Sequence, residues 1–378
     1  MENKNILIVA SLASSLIHFR GDFIASLIEN GFRVYAAAPK QPDHIKEKLE
    51  SIGAIPLEFK LNRTGLNPIK DIGSVLELRK LIKQNRIDLV FPYTVKPVIY
   101  SSFAANSCGV PVISLITGLG FAFTGLTRKA RVLQWLNQNL YRSSIRRNRV
   151  VVFQNKDDLQ LFMDNGILSA KNKTALVSGS GVNLNNYKFR VNNKKSDNIS
   201  FLLVARLIKE KGIALYIEAA QVLKKTYPNA EFHVIGSPDK SPSAIDEEEL
   251  KKLDDTGIIV YHGMQKNVPE HLYKNDVFVL PTYYREGIPR SILEALSVGM
   301  PIITTNTPGC RETIKKDYNG ILIEPRELQE LIKAMEYFLL NISKIEEMGI
   351  NSRNYAEERF DVKIINKELI NLISDVVL

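Results

Sequence analysis

At 378 residues, with 45% hydrophobic and 24% charged residues, the chain is too long for one ordinary core and too apolar for disorder, so two globular domains are expected. Its two cysteines, Cys108 and Cys310, stand far apart, which excludes a disulfide framework and fits a reducing cytoplasm. The net charge of +9 is lopsided: residues 1–190 hold 26 Lys/Arg against 13 Asp/Glu, and the remainder hold 24 against 28, so the first half is expected to face something anionic.

The chain enters an apolar segment at once (MENKNILIVASLA), which suits a first β-strand better than a cleaved signal peptide. No run approaches the roughly 18–20 apolar residues needed to cross a bilayer. Strands are expected over residues 6–13, 33–39, 89–94, 111–117 and 150–155, with helical patterns between most of them. Near-continuous apolar strands alternating with amphipathic helices argue for an α/β, doubly wound parallel sheet covered on both faces. Residues 183–198, rich in Asn and Lys and poor in aliphatic pattern, read as a linker between a first domain over 1–182 and a second over 199–360. The strand pattern then restarts over 200–206, 231–236, 258–262, 277–281, 301–305 and 320–323. A last helix is expected within 361–378, after the second sheet is complete.

One stretch of the second half carries chemistry: FVLPTYYREGIPRSILEALSVGMP, residues 278–301. A strand leads through a polar loop into a helix starting near Pro289, and proline is favoured at a first helical position. Backbone N–H groups of the Glu286-Gly287-Ile288 loop would then stand at the positive end of a helix dipole, a ready phosphate site. Glu286 and Glu294 bracket it with seven residues between them, so one carboxylate can sit on each side of a bound diphosphate. The rival reading is a turn glutamate plus a solvated helical one. With the flanking strand, the Gly-x-Pro turn and the Gly-x-Pro strand entry that follows, the stretch resembles the Glu-x7-Glu signature of family 4 glycosyltransferases, retaining enzymes of the GT-B fold. That resemblance implies two Rossmann-like domains with a cleft between them, and a final helix that returns to the first domain.

Arg206, at the end of an apolar strand, and Lys211, opening the next helix (VARLIKEKGI), resemble the pair that grips the donor diphosphate in this family. Two fixed cations there can neutralise a leaving nucleoside diphosphate without a metal; otherwise they are a charged strand-to-helix turn. No Asp-x-Asp occurs, and the histidines and cysteines show no metal-ligand spacing, so no metal and no cofactor beyond the nucleotide-sugar co-substrate are expected. The resemblance assigns Glu286 to the sugar hydroxyls, Glu294 to the ribose, and Gly287, Ile288 and Pro289 to the donor loop. It also lines the nucleobase pocket with Gly263 and Met264, while the side chain of His262 reads better as a strand-end cap.

The first domain departs from the commoner family pattern. After the first strand stands LASSLIHFRGDF where many members carry Gly-Gly, as in a subset of capsule, O-antigen and N-glycan-oligosaccharide assembly transferases. His18 and Arg20 then either meet the acceptor or lie on a solvated helix start. Thr117 and Gly118 (LITGLGFAFTG) occupy the place where many relatives have a histidine near the reacting carbon, and Gly118 with Gly120 would let backbone approach the donor sugar.

From Leu89 to Lys156 there is no acidic residue. On one helix Arg128, Arg131, Trp135, Arg142 and Arg146 would share a sector of about 60°, with Val132, Leu133, Leu136 and Leu140 turned to the core. The face reads as one that rests on anionic lipid headgroups, against the plainer reading of a solvated basic helix. Nucleic acid is not expected as a partner, because stacking aromatics are not interleaved with the charge.

The resemblance thus implies a retaining, metal-independent transfer of a hexose or N-acetylhexosamine. The donor would be a nucleoside-diphosphate sugar, UDP-linked by expectation, and the acceptor a polyprenyl-diphosphate-linked saccharide at the inner face of the cytoplasmic membrane. A nucleotide-sugar epimerase of the same fold and a non-catalytic sugar- or nucleotide-binding protein are the alternatives.

Overall fold

In the computed structural model, residues 4–62, 68–120, 128–168, 172–190, 198–239, 241 and 243–377 are described. The chain divides into two compact units: residues 1–180 together with 362–378, and residues 181–361.

The first unit alternates β1 (Asn5–Val9), α1 (Ala13–His18), α2 (Gly21–Glu29), β2 (Arg33–Ala38), α3 (Asp43–Ser51), β3 (Ile55–Glu58), α4 (Pro68–Gln84), β4 (Leu89–Pro92) and α5 (Val95–Ser107). It continues through β5 (Ile113–Ile116), α6 (Arg128–Ile145), β6 (Val150–Phe153), α7 (Lys156–Asp164) and β7 (Thr174–Leu176). Parallel pairing gives the order β3-β2-β1-β4 and, beside it, β5-β6-β7. Isolated parallel bridges Val90–Val112 and Tyr93–Leu115 join β4 to β5. Successive strand side chains point to opposite faces, so Ile6 and Ile8 enter one buried cluster while Leu7 and Val9 enter another. Both faces are covered, which is why these strands read as unbroken apolar runs rather than alternating ones.

The second unit runs β8 (Ser200–Val204), α8 (Ile213–Thr226), β9 (Glu231–Ile235), α9 (Glu247–Asp255), β10 (Val260–Tyr261), α10 (Val268–Lys274), β11 (Val277–Leu280) and α11 (Arg290–Val298). It ends with β12 (Ile302–Thr305), β13 (Gly320–Ile323), α12 (Leu328–Leu340) and α13 (Ser343–Arg359). Its strands order as β10-β9-β8-β11-β12-β13, all parallel. Phe201, Leu203, Val277 and Val279 face one core cluster, and Leu202, Phe278 and Leu280 face the other. The order reverses between β8 and β11, and in such sheets ligands bind outside the carboxyl ends of the strands at that reversal.

Two expectations shift. Residues 183–198, read as a linker, begin inside the second unit: Leu184 and Tyr187 pack on its core, and Arg190 donates to the Asn275 and Asp276 carbonyls. The first strand stops at Val9, and Ala13 opens a helix instead of closing the strand. The last helix, α14 (Val362–Val377), belongs to the first unit, where Ile365, Leu369, Ile370 and Ile373 join the cluster that also holds Phe23, Ile24 and Leu27 of α2. Asn366 fixes its register by donating to the Ser26 hydroxyl at 3.0 Å.

Candidate active site

The residues singled out in the second half converge at the reversal between β8 and β11. After β8 the chain passes Arg206 and makes one 3-10 turn, Lys209–Lys211, before α8. Gly212 closes that turn in the left-handed region (φ +77), where a Cβ would lie 2.1 Å from the Pro281 carbonyl oxygen. Only glycine allows the turn to sit this close to the end of β11. From there Lys211 forms an ion pair with Glu286, although 75 residues separate them. Their side chains are 12% and 13% exposed, so salt screens the pair weakly.

The strap after β11 is tied to the same turn. The Glu210 carbonyl accepts from the Thr282 hydroxyl at 2.9 Å and from the backbone N–H groups of Tyr283 and Tyr284 at 2.9 and 3.1 Å. The Tyr284 ring lies with its centroid 5.8 Å from the Arg206 guanidinium carbon and 5.7 Å from Lys211 Nζ. Arg206 donates to Asp239 at 3.0 Å. Burial works against the Asp239 carboxylate, yet the Ser241 N–H at 2.7 Å and Arg206 hold its pKa below the ordinary carboxylate value.

Pro289 is the N-cap of α11, one place earlier than expected, with extended backbone (φ −65, ψ 118). The helix therefore begins at Arg290, and its first-turn N–H groups and positive dipole end stand beside the Glu286 loop. Gly287, Ile288 and Pro289, which complete that loop, are buried. On α11 the Glu294 carboxylate accepts from Arg290 Nε at 3.0 Å, and the Tyr187 phenol lies near enough to feel its charge. Burial first, and Glu294 second, push the Tyr187 phenol well above its ordinary pKa, so it remains a donor. From behind, Gly309 supports the loop in left-handed conformation (φ +79), where a Cβ would fall 1.4 Å from the Gly287 carbonyl oxygen. Burial pushes the nearby Cys310 thiol up to about 11, with Glu286 adding to the shift, so it is an inert part of the packing.

Gly263 takes the left-handed conformation (φ +64) and its carbonyl accepts from Gly236 N–H at 3.1 Å; Met264 beside it is exposed. His262 is not a simple strand-end cap. Its Nε2 lies 2.9 Å from His233 Nδ1, and its ring stands 4.6 Å from that of His271. Burial, with His233 and His271 adding to it, lowers its pKa to about 4.

Residues 5–155 match the model described as Glycosyl transferase 4-like, and residues 185–355 match Glycosyl transferases group 1. The chain is a glycosyltransferase, with a 4-like domain in its first half and a group 1 domain in its second. Among curated relatives, the N,N'-diacetylbacillosaminyl-diphospho-undecaprenol alpha-1,3-N-acetylgalactosaminyltransferase of Campylobacter jejuni is 26% identical over 379 residues, 96% of each chain. The UDP-Gal:alpha-D-GlcNAc-diphosphoundecaprenol alpha-1,3-galactosyltransferase of Escherichia coli is 29% identical over 318 residues, 78% of this chain and 77% of its own. Two solved structures share the GT-B fold. A Rickettsia africae glycosyltransferase superposes with TM-score 0.80 at 17% identity, covering 100% and 99% of the two chains. Anabaena HepE in complex with UDP-glucose gives 0.77 at 19%, covering 98% and 99%.

The first unit of this glycosyltransferase places its expected residues less uniformly. Thr117 and Gly118 follow β5, with Gly118 in left-handed conformation (φ +97). His18 is exposed at the last turn of α1. Arg20 is neither on a solvated face nor presented to an acceptor. It is 2% exposed, forms the N-cap of α2, and lies 5.3 Å from the centroid of Tyr93 at the end of β4. That cation–π contact offsets part of the cost of burying a guanidinium.

The basic helix of the transferase also differs from its expected pattern. The side chains of Arg128 and Arg131 lie outside the described residues. Trp135 is 64% exposed, as expected. Arg142 is exposed but engaged: its guanidinium donates to the Asn165 and Gly166 carbonyls at 2.7 and 2.8 Å, closing the end of α7. Arg146 falls just beyond the end of α6. The inward face is Asn137, Tyr141, Ser144 and Ile145, while Leu136 and Leu140 are only half-buried. Apolar spacing missed this face because two of its members are polar; Ser144 accepts through its carbonyl from Asn106 at 3.2 Å.

Among the described residues no group of His, Cys, Asp and Glu has the arrangement of a metal site, and no helix is long and apolar enough to cross a membrane. Sequence reasoning missed Tyr187, Asp239, Tyr284 and Gly309. Only Gly309 carried a local signal, as the third residue of a Thr-Pro-Gly turn.

Proposed function

We propose that this glycosyltransferase moves a hexose or N-acetylhexosamine from a UDP-sugar to a polyprenyl-diphosphate-linked saccharide, with retention and without a metal ion. The observation that carries the reading is the pairing of Lys211 with Glu286 beside the N-terminus of α11, where β8 and β11 diverge. Arg206, Lys211 and the first-turn N–H groups of α11 take up the negative charge that grows on the leaving diphosphate. Glu286 holds the hydroxyls of the transferred sugar, and Glu294, kept in place by Arg290, holds the ribose. Backbone at Gly263 and Met264 lines the base.

No side chain is assigned as a nucleophile. The acceptor hydroxyl attacks on the face from which the diphosphate departs, and a departing phosphate oxygen takes its proton. The C1–O bond to the phosphate breaks as the new C1–O bond forms, through an oxocarbenium-like state. The names of the Campylobacter and Escherichia coli relatives support a lipid-diphosphate acceptor, and the second of them supports a UDP-linked donor. A polyprenyl acceptor requires a membrane-facing surface. The exposed Trp135 with Arg128, Arg131, Arg142 and Arg146 is the one proposed, at the inner face of the cytoplasmic membrane.

The test is transfer from UDP-, GDP- and dTDP-sugars to a polyprenyl-diphosphate-linked saccharide, with the product anomer read by NMR. The reading expects sugar in the lipid phase with the donor's anomeric configuration. Release of an epimerised sugar to water, with nothing in the lipid, would favour an epimerase instead.

A further inference from the structure

We infer that Tyr284 is a positioning residue that sets the two diphosphate cations, Arg206 and Lys211, as one unit; this rests on the donor-site reading above. The ring stands nearly equidistant from both cations, at 5.8 and 5.7 Å, and both approach within the range at which an aromatic face attracts a cation. Arg206 has one further anchor, Asp239, itself held by the Ser241 N–H. Arg206 is half exposed, with its side chain 50% accessible, so without Tyr284 a single anchor would leave its guanidinium free to swing.

The backbone explains why this residue can do so. Tyr284 N–H donates to the Glu210 carbonyl, and the Thr282 hydroxyl and Tyr283 N–H donate to the same oxygen. The turn carrying Lys211 and the strap leading to Glu286 are thereby pinned at one atom, with Tyr284 between them. Charge growing on a leaving diphosphate is stabilised best by donors already in place, because no reorganisation is then needed. Tyr284 supplies that fixity without touching the sugar.

The test compares binding of UDP, GDP and dTDP with binding of their monophosphates, by calorimetry, in the wild type and in Tyr284→Phe, Tyr284→Leu and Arg206→Ala. The wild type should prefer its nucleoside diphosphate over the matching monophosphate. Tyr284→Phe keeps the aromatic face and should largely keep that preference. Tyr284→Leu removes that face and should cut it several-fold, towards Arg206→Ala, while the monophosphate binds about as before. Thermal melting of each variant controls for folding, and a general loss of packing would weaken mono- and diphosphate binding alike. If the wild type shows no preference for a diphosphate, the donor-site reading fails. If it does, and Tyr284→Leu retains it in full, the inference about Tyr284 alone is wrong.

Discussion

Gly309→Ala is expected to disable the enzyme while leaving it folded. A Cβ at this position would stand 1.4 Å from the Gly287 carbonyl oxygen, 2.6 Å from its carbon and 3.0 Å from the Glu286 carbonyl oxygen. Every one of these is backbone, so no side-chain rotation relieves the contact. Ordinary van der Waals separation requires the Glu286–Gly287 loop to retreat by roughly 1–2 Å, and a misplacement of about 1 Å near reacting groups can cost on the order of 10²-fold in rate. The left-handed backbone (φ +79) adds about 1 kcal/mol of strain, or roughly 2–4 °C in Tm for a domain of this size. Gly257→Ala separates the two effects: that residue is also left-handed (φ +71) but has nothing within 4 Å of its Cβ position. Steady-state kinetics with the best donor, beside thermal melts, should show both variants slightly destabilised and only Gly309→Ala short of activity. Equal kcat/KM in the two variants would refute the argument that Gly309 supports the loop.

Glu286→Ala and Glu294→Ala should each lower kcat/KM by roughly 10–100-fold, since each removes charged hydrogen bonds of about 1.5–3 kcal/mol; full activity in both would sink the donor-site assignment. His262 should make folding stability fall in mild acid. Its folded pKa, about 4, lies below the ordinary 6.5, so the unfolded chain binds the extra proton between those values and stability is lost as pH drops through that window. His233, His271 and Lys274 oppose the charge and Asp254 favours it; His262→Asn should flatten the loss, about 1–2 kcal/mol after allowance for solvent screening, in chemical denaturation at pH 7 and pH 5. Emission from Trp135, the one tryptophan of the sequence, should change on adding anionic vesicles and revert at high salt, and Gln at Arg128, Arg131, Arg142 and Arg146 should abolish binding. Unchanged emission, with the Gln variant still pelleting with vesicles, would place the membrane face elsewhere.

The alternating architecture was legible because strands buried on both faces are written as plain apolar runs, as in Leu89–Pro92 and Val277–Leu280. Strand ends were less so: Arg206 and Asn155 were read into strands that stop at Val204 and Phe153, because polar residues past a strand can look like its last positions. The donor side was legible for a physical reason. Lys211 and Glu286 each follow a strand, and parallel strands bring their carboxyl ends to one edge of the sheet whatever lies between them in sequence. Residues that act through tertiary packing were not. Tyr187 sits in a polar stretch that reads as linker, yet it packs on the second unit's core close enough to Glu294 for that carboxylate to raise its pKa. Arg20 looked like a surface cation because nothing local announces Tyr93, more than seventy residues on, as its partner. The true inner face of α6 contains Asn137 and Ser144, which a search for apolar spacing passes over.

The most direct measurement of the central claim is transfer of radiolabelled sugar from a nucleotide-sugar panel into a polyprenyl-diphosphate-linked acceptor, in EDTA, by the wild type and by Lys211→Ala. Label should enter the lipid extract with the wild type despite the chelator, and Lys211→Ala should slow it on the order of 10²–10³-fold, as when other fixed charge-stabilising donors are removed. A strict requirement for Mn²⁺ or Mg²⁺, or an undiminished rate in Lys211→Ala, would contradict the account.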